Sequence, residues 1–261
     1  MRASSFICRG TYNAGDSAAI DKERIVEGVR KGRPTLIFDS SSRERETDIV
    51  VPSQFVTSEI VRLMRKDGGG LICTTMTQAA SEKLGLEYTT DTLMGSGKEV
   101  FKYLYPNDIP YDEKSAFSIT INHRKTFTGI SDRDRALTIS EFAKLLSRIE
   151  RLDCKDALAE FGRDFRAPGH VHLLIARRGL VEERKGHTEL STALMILSGL
   201  TPTATIVEML GDDGFSLSYQ KAKEYADRNG LHFVEGKEIV QWWTETAGGN
   251  PADATHHSDE I

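Results

Sequence analysis

The sequence has few cysteines, no long apolar run and no excess of positive charge, and each absence argues against a class of protein. Its three cysteines, Cys8, Cys73 and Cys154, are widely spaced and form no C-x-x-C pair. This pattern argues against a disulfide framework or a structural zinc site and favours an intracellular, cytoplasmic protein. No apolar run is long enough to cross a bilayer and no signal-peptide pattern is present, so we expect no membrane partner. The net charge of -5 offers no general attraction to nucleic acid, which is not an expected partner either.

Nothing in the sequence divides its 261 residues into separate domains. Because no Pro/Ser-rich linker or charge block interrupts the chain, residues 1–247 are predicted to form a single domain. Residues 248–261 are polar and contain helix-breaking residues, so they are predicted to be a disordered tail.

Hydrophobic periodicity predicts helices and strands in mixed order. The predicted helices are residues 20–30, 58–65, 140–151, 190–198 and 219–229, and the predicted strands are residues 35–38, 71–74, 117–122 and 204–210. No strict βαβ repeat is present. The expected fold class is therefore α/β (α+β), a single layered domain with a mixed β-sheet flanked by helices.

The most informative segment is the charged run from Arg43 to Asp48, which lies between two apolar, strand-like runs. If the run is extended, Glu44, Glu46 and Asp48 share one side, where their crowded carboxylates call for a cation. Oxygen ligands favour magnesium or manganese. The alternative is a solvated edge whose ion pairs contribute little.

A second segment, Arg184-Lys185-Gly186-His187-Thr188-Glu189, directly precedes the helix-like run 190–197. A loop entering a helix presents free N–H groups to an anion, and Thr188 could cap the helix or donate to that anion. Arg184 and Lys185 add charged donors, so a phosphate site is predicted. A capped helix with a surface histidine is the alternative.

Two single residues complete the set of candidates. Pro168 and Gly169 predict a turn before a strand, which would place His170 at the end of the sheet, although a lone histidine there is more often structural. Glu208 stands alone in the apolar run 204–210. If it is buried it suits a general acid or base, and if it lies at a strand edge it faces solvent.

In order and spacing, the segments containing Arg43–Asp48, His170, Arg184–Glu189 and Glu208 resemble the signature segments of the 3,4-dihydroxy-2-butanone 4-phosphate synthase family. Residues 69–73 and 128–135 are similar to further family segments, and the resemblance covers about residues 19–244. Arg45, Thr47 and Lys185 depart from the common bacterial residues and indicate an archaeal or fungal, monofunctional form. No cyclohydrolase domain is expected. The stretch 94–114 is longer than in bacterial members, and its role stays open.

The resemblance implies a lyase that converts D-ribulose 5-phosphate to 3,4-dihydroxy-2-butanone 4-phosphate and formate in riboflavin biosynthesis. It also implies a homodimer with active sites near the subunit interface. Helix 190–197 could pack across that interface, or it could equally fill the core of one chain.

The same resemblance assigns roles to individual residues. Mg²⁺ or Mn²⁺, with two ions per site, is expected on Glu44 and His187, and catalysis on His170, Glu208 and Asp48. The substrate-binding residues would be Arg43, Glu44, Asp48, Arg184, Lys185, Gly186, His187, Thr188 and Glu208. Asp39 and Glu46 could orient the metals or sugar hydroxyls, and Cys73 could line the pocket or be an inert buried thiol. Two other functions stay open: another metal-dependent ketose-phosphate isomerase or aldolase, and a non-catalytic phosphate-sensing module.

Overall fold

The computed structural model describes residues 22–247. The predicted disordered tail, 248–261, and Cys8 lie outside the described residues. The strands of this part of the chain are β1 (Thr35–Phe38), β2 (Thr47–Pro52), β3 (Cys73–Thr77), β4 (Phe117–His123), β5 (Phe165–Ala176), β6 (Ala204–Glu208) and β7 (His232–Glu235). They form one sheet in the order β4-β5-β3-β6-β2-β1-β7. The pairs β1–β7 and β3–β5 are parallel and the others antiparallel, so the predicted mixed sheet is confirmed.

The helices begin and end where local capping signals allow. They are α1 (Lys22–Arg30), α2 (Ser58–Leu63), α3 (Gln78–Lys83), α4 (Thr89–Gly95), α5 (Val100–Tyr103), α6 (Asp132–Leu146), α7 (Cys154–Asp164), α8 (His187–Leu197), α9 (Tyr219–Asn229) and α10 (Gly236–Ala247). Helix α9 has the predicted bounds, with Ser218 accepting the N–H of Lys221 and Gly230 ending the helix in the left-handed conformation. The prediction for 140–151 was wrong at both ends, because Ser131 caps an earlier start and residues 149–151 form a separate 3-10 turn.

The predicted turn at Pro168 and Gly169 was also wrong. Residues 165–176 form one strand, and its pairing with β4 jumps from Asn122–Arg166 to Ile121–Val171. Residues 167–170 therefore form a bulge, which re-aims side chains that would otherwise alternate regularly. A Cβ at Gly169 would lie 1.9 Å from the carbonyl carbon of Ile121, so this close approach requires glycine.

The sheet separates two hydrophobic cores, as period-2 alternation requires. On one face, Leu36 and Ile49 pack with α2, α3, α6, α7 and α9. On the other face, Ile37 and Val50 pack with α1, α8 and α10. The expected layered domain, with helices on both sides of the sheet, is therefore confirmed. None of the helices in residues 22–247 has both the length and the apolar character needed to cross a bilayer.

Helix α8 is the central helix of the second core. Leu190, Ala193 and Leu194 are fully buried within this one chain. Of the two placements left open for this helix, the structure therefore shows the one in the core of a single chain. These three side chains are not available to a subunit interface.

Candidate active site

A polar pocket opens where the amino terminus of α8 meets the ends of β2 and β6. Asp48 and Glu208 are direct partners in the antiparallel pair of β2 and β6. Both have the strand parity of core residues Val50 and Ile206, so they lie on the face of the sheet covered by α8. The cavity has a volume of about 180 Å³ and is lined by Glu44, Glu46, Asp48, Cys73, Ile109, Tyr111, Asp112, Ser115, Ala116, Phe117, Leu174, Arg184, His187, Thr188, Ile206 and Glu208.

The acidic residues before β2 reach this pocket by a turn, so residues 43–46 do not have the extended conformation on which the alternation was conditional. Asp39, directly after β1, accepts the backbone N–H of Glu44 at 2.8 Å and that of Glu46 at 3.1 Å. Arg45 has a φ of 62°, a left-handed conformation inside the turn. A short aspartate side chain competes well for backbone N–H groups, and this folds the loop back on itself. Glu44, Glu46 and Asp48 still face one pocket, but through the turn.

His187, the first residue of α8, lies between two of these carboxylates. Its Nδ1 is 3.2 Å from Oε2 of Glu44, and its Nε2 is 3.2 Å from the carbonyl oxygen of Ile37 and 3.7 Å from Oδ1 of Asp48. Only a protonated Nε2 can donate to the carbonyl, so Nδ1 faces the Glu44 carboxylate. A proton or a metal ion must then separate these two groups.

The ionisation of the pair agrees with this geometry. Burial alone would lower the pKa of His187, but the charges of Asp48 and Glu44 raise it to about 10. Burial would raise the pKa of Glu44, but hydrogen bonds from His187 and Arg43 hold it at about 2. Both shifts favour a charged, hydrogen-bonded pair of His187 and Glu44.

The same residues fit a divalent ion. Ligands at 2.0–2.1 Å in an octahedron are separated by about 3 Å when adjacent, close to the 3.2 Å between Nδ1 of His187 and Oε2 of Glu44. Asp39, Glu44 and His187 place one ligand atom each within 4.8 Å of one another. Because both oxygens of Asp39 already accept backbone N–H groups and Asp39 does not line the pocket, Glu44 and His187 are the pair that faces the cavity. The hydrogen bond from Nε2 to Ile37 orients the imidazole, as partners of metal-bound histidines usually do.

Asp48 and Glu208 offer carboxylates with few competing partners. Oδ1 of Asp48 is buried and has no hydrogen-bond partner among the described residues. Burial, opposed by His187 and aided by the nearby carboxylates, raises the pKa of Asp48 to about 8. Glu208 is half-buried, so it is neither fully enclosed nor fully exposed to solvent, the two placements considered for it. Its Oε2 accepts the N–H of Leu71 at 2.7 Å. A Cβ at Gly70 would lie 2.3 Å from that oxygen, so glycine is required beside it.

Two further acidic or thiol candidates line the same cavity. Glu46 accepts a short hydrogen bond from the hydroxyl of Ser216. Cys73 is buried and free, and burial together with Glu208 and Asp48 raises the pKa of its thiol well above the usual value. Cys73 is therefore a neutral thiol in the pocket wall.

The residues of the predicted anion site line the same pocket. Arg184 and Thr188 line it, beside the first-turn N–H groups of α8 that have no intrahelical acceptor. Gly186, not Thr188, is the N-cap residue, and the structure shows no side-chain cap at this helix. A Cβ at Gly186 would lie 2.3 Å from Nη1 of Arg184, so glycine lets this side chain fold across the loop. Lys185 is exposed and lines a neighbouring groove beside Asp39.

Arg184 is held by two acids that sequence reasoning did not assign. Glu189, fully buried, accepts from its Nη1 at 2.5 Å, and Asp112 accepts from its Nε at 2.5 Å. Asp112 also accepts from Arg43 at 2.8 Å. It belongs to the long stretch 94–114 whose role was open, and Ile109, Tyr111 and Asp112 now place the end of that stretch in the pocket wall. The only sequence signal was the unusual length of the stretch, because an aspartate near prolines is typical of any exposed turn.

His170 is the one catalytic candidate that this pocket does not contain. It lies on the bulge of β5 with an exposed side chain, and its Nδ1 is 3.1 Å from Nδ2 of Asn122. Large apolar side chains are exposed nearby, in the loop after β4: Phe127 is 93% exposed and Ile130 is 52% exposed. Within a single chain, His170 therefore does not line the cavity that contains Asp48 and Glu208.

Comparisons with known proteins agree on one family. The family model described as 3,4-dihydroxy-2-butanone 4-phosphate synthase matches residues 23–242. The chain is 48% identical over 227 residues to the enzyme of that name from Methanothermobacter thermautotrophicus, covering 85% of this chain and 96% of that protein. It is 45% identical over 226 residues to the enzyme from Archaeoglobus fulgidus, covering 85% and 93% of the two chains. A solved 3,4-dihydroxy-2-butanone 4-phosphate synthase in complex with two magnesium ions superposes with a TM-score of 0.69 at 25% identity, covering 87% of this chain and 97% of that one.

Proposed function

The chain belongs to the 3,4-dihydroxy-2-butanone 4-phosphate synthase family, and on this premise we propose that its reaction takes place in the pocket between α8 and the ends of β2 and β6. The enzyme is a lyase that converts D-ribulose 5-phosphate to 3,4-dihydroxy-2-butanone 4-phosphate for riboflavin biosynthesis, with the lost carbon released as formate. The assignment to this pocket depends on one observation. The same cavity contains a pair of residues that can bind a cation, Glu44 and His187, together with two further carboxylates and an anion site.

Glu44 and His187 are the proposed metal ligands. A magnesium or manganese ion held there would act as a Lewis acid on the carbonyl and hydroxyl oxygens of the sugar. Two ions per site are proposed, in line with the structural relative that contains two magnesium ions. Two protein ligands leave most positions of an octahedral ion to water and substrate oxygens, which suits a site where oxygens must exchange. Asp39 positions Glu44 by accepting a hydrogen bond from the backbone N–H of Glu44. Glu46 faces the sugar hydroxyls.

Asp48 and Glu208 are the proposed proton-transfer groups on this side of the substrate. The first reaction forms an enediol, which requires a base to remove the C3 proton and an acid to return one. Asp48 is suited to this because one of its oxygens is buried without a hydrogen-bond partner among the described residues. Glu208 lies directly opposite it on the next strand, so both carboxylates face the same bound sugar. Cys73, on the strand beyond Glu208, lines the pocket wall as a neutral thiol.

The phosphate of the substrate is proposed to bind at Arg184, Thr188 and the first turn of α8. A dianion there meets a guanidinium group, a hydroxyl and the positive end of an 11-residue helix. Gly186 allows Arg184 to lie across the loop, and Arg43 adds a second guanidinium from the opposite side. Lys185 contributes only longer-range charge, since it faces a neighbouring groove.

We propose that the active unit is a homodimer in which His170 acts in the pocket of the other subunit. Support comes from three observations: His170 is exposed, it does not line the pocket of its own chain, and Phe127 and Ile130 expose apolar surface nearby. Apolar patches of this kind mark contact surfaces. We also propose an intracellular location, consistent with the free thiols of Cys73 and Cys154.

Formate release tests the proposed function directly. Purified protein with magnesium and D-ribulose 5-phosphate should form formate and the four-carbon phosphate in equal amounts. An isomerase or aldolase would consume the sugar without formate, and a phosphate-sensing module would bind it without turnover. Either result would overturn the assignment.

A further inference from the structure

Asp112 joins the two arginines that converge on the pocket. Its Oδ2 accepts from Nη2 of Arg43 at 2.8 Å and from Nε of Arg184 at 2.5 Å. The side chains of Asp112, Arg43 and Arg184 are only 9%, 11% and 13% exposed, so these charge-assisted hydrogen bonds are largely shielded from water. One carboxylate oxygen thus takes the position at which both guanidinium groups aim their donors.

Each of the two arginines also contacts an acidic residue other than Asp112. Nη1 of Arg184 donates to the fully buried Glu189 at 2.5 Å. Nη1 of Arg43 is 2.6 Å from Oε1 of Glu44. Each guanidinium group therefore has an acidic contact besides Asp112, a hydrogen bond for Arg184 and an ion pair for Arg43.

Asp112 itself lies in an irregular segment between α5 and β4. Among residues 22–247, its other oxygen, Oδ1, accepts only a local bond from the N–H of Glu113 at 2.9 Å. A carboxylate carried by such a segment can move away more easily than one carried by a helix or a strand of the core.

An oxygen that accepts from two guanidinium groups has the surroundings of a phosphate oxygen. We propose that Asp112 occupies the position of the substrate phosphate in the free enzyme, and that the phosphate displaces it on binding. Asp112 is then a specificity-determining residue, because a ligand reaches both arginines only if its charge can replace a carboxylate. The inference rests on the proposed function only in taking Arg43 and Arg184 as the phosphate-binding pair.

Binding of inorganic phosphate, measured by calorimetry on the full chain with magnesium present throughout, tests this without requiring turnover. If Asp112 occupies the arginine pair for about nine-tenths of the time, its removal makes phosphate binding about tenfold tighter. Asp112→Asn should show this gain, and Asp112→Glu, which keeps the charge, should bind phosphate as weakly as the unmodified chain. Glu113→Gln is the matched control, since it removes one negative charge from the adjacent, exposed residue.

The opposite outcomes are distinct. If Asp112 merely held the arginines in place, Asp112→Asn would bind phosphate more weakly, and this would overturn the inference. An equal gain in Glu113→Gln would also overturn it, because general electrostatics would then account for the effect. Formate release separates the two claims. If the unmodified chain releases formate but Asp112→Asn binds phosphate no more tightly, only the inference about Asp112 is wrong. If Asp112→Asn binds phosphate more tightly but the unmodified chain releases no formate, only the proposed function is wrong. In kinetics, Asp112→Asn should lower KM for D-ribulose 5-phosphate, because the phosphate no longer has to displace a carboxylate, and should leave KM for unphosphorylated D-ribulose unchanged.

Discussion

Two inactive variants should restore activity when they are mixed, because His170 lies outside the pocket that contains Glu208. In a mixed dimer of His170→Asn and Glu208→Gln chains, the pocket that keeps Glu208 receives an intact His170 from the other chain. The second pocket lacks both groups. Random exchange makes about half of the dimers mixed, each with one intact site of two, so about a quarter of the sites recover. If each variant alone retains about 1% of normal turnover, the mixture should be about 25-fold more active than either.

The assay is formate release after subunit exchange, with exchange verified by mass-tagged chains. Mixing Glu208→Gln with Asp48→Asn is the matched control. Both residues line the pocket of the same chain, so each pocket of the mixed dimer lacks one group and no recovery is expected. If the first mixture also stays inactive although exchange is complete, His170 does not act across an interface. A protein that sediments as a monomer and is fully active at the same concentration would lead to the same conclusion.

Three further predictions concern the metal and the proton-transfer groups. Chelation with EDTA should abolish turnover and added magnesium should restore it, and full turnover of the metal-free protein would contradict the proposed role of Glu44 and His187. Magnesium binding at pH 7 should release about one proton, because Asp48 and Glu44, acting against burial, raise the pKa of His187 to about 10 and only its neutral form can bind the metal. Magnesium affinity should accordingly increase as pH rises toward that pKa. Calorimetry in two buffers of different ionisation enthalpy measures the number of protons released. A value of zero would exclude His187 as a ligand. Glu208→Gln should lower kcat about 100-fold with little change in KM, as expected for a lost proton-transfer group, and near-normal kcat would remove Glu208 from the chemistry.

Sequence patterns predicted best where the signals are local. Helix α9 has the predicted bounds because its cap, Ser218, and its terminating glycine, Gly230, lie within one turn of its ends. The apolar runs on either side of Arg43–Asp48 form β1 and β2, as expected from their composition. In these elements, hydrogen bonds between near neighbours decide the backbone conformation, so a short window of sequence is sufficient.

Sequence patterns failed where a distant or competing hydrogen bond decides the backbone. The alternation considered for residues 43–46 applies only to an extended chain, but the carboxylate of Asp39 accepts two backbone N–H groups and turns the chain. Pro168 and Gly169 are typical of a turn, yet pairing with β4 makes them part of a bulged strand. In both cases a hydrogen bond to a residue outside the short segment determines the backbone conformation and overrides the local propensity of its residues.

The sequence by itself determined which chemical groups are available: carboxylates after β1, a histidine and a threonine at the start of α8, and a lone glutamate ending β6. Only the tertiary structure decided which of them meet. Nδ1 of His187 lies 3.2 Å from Glu44 although the two residues are 143 positions apart. The same structure inserts Asp112 between two arginines and leaves His170 outside the pocket. The physical reason is the strand order, in which β6 pairs with β2 and β3 instead of with its neighbours in the chain. Such long-range pairing depends on burial summed over both faces of the sheet, which no short segment of sequence contains.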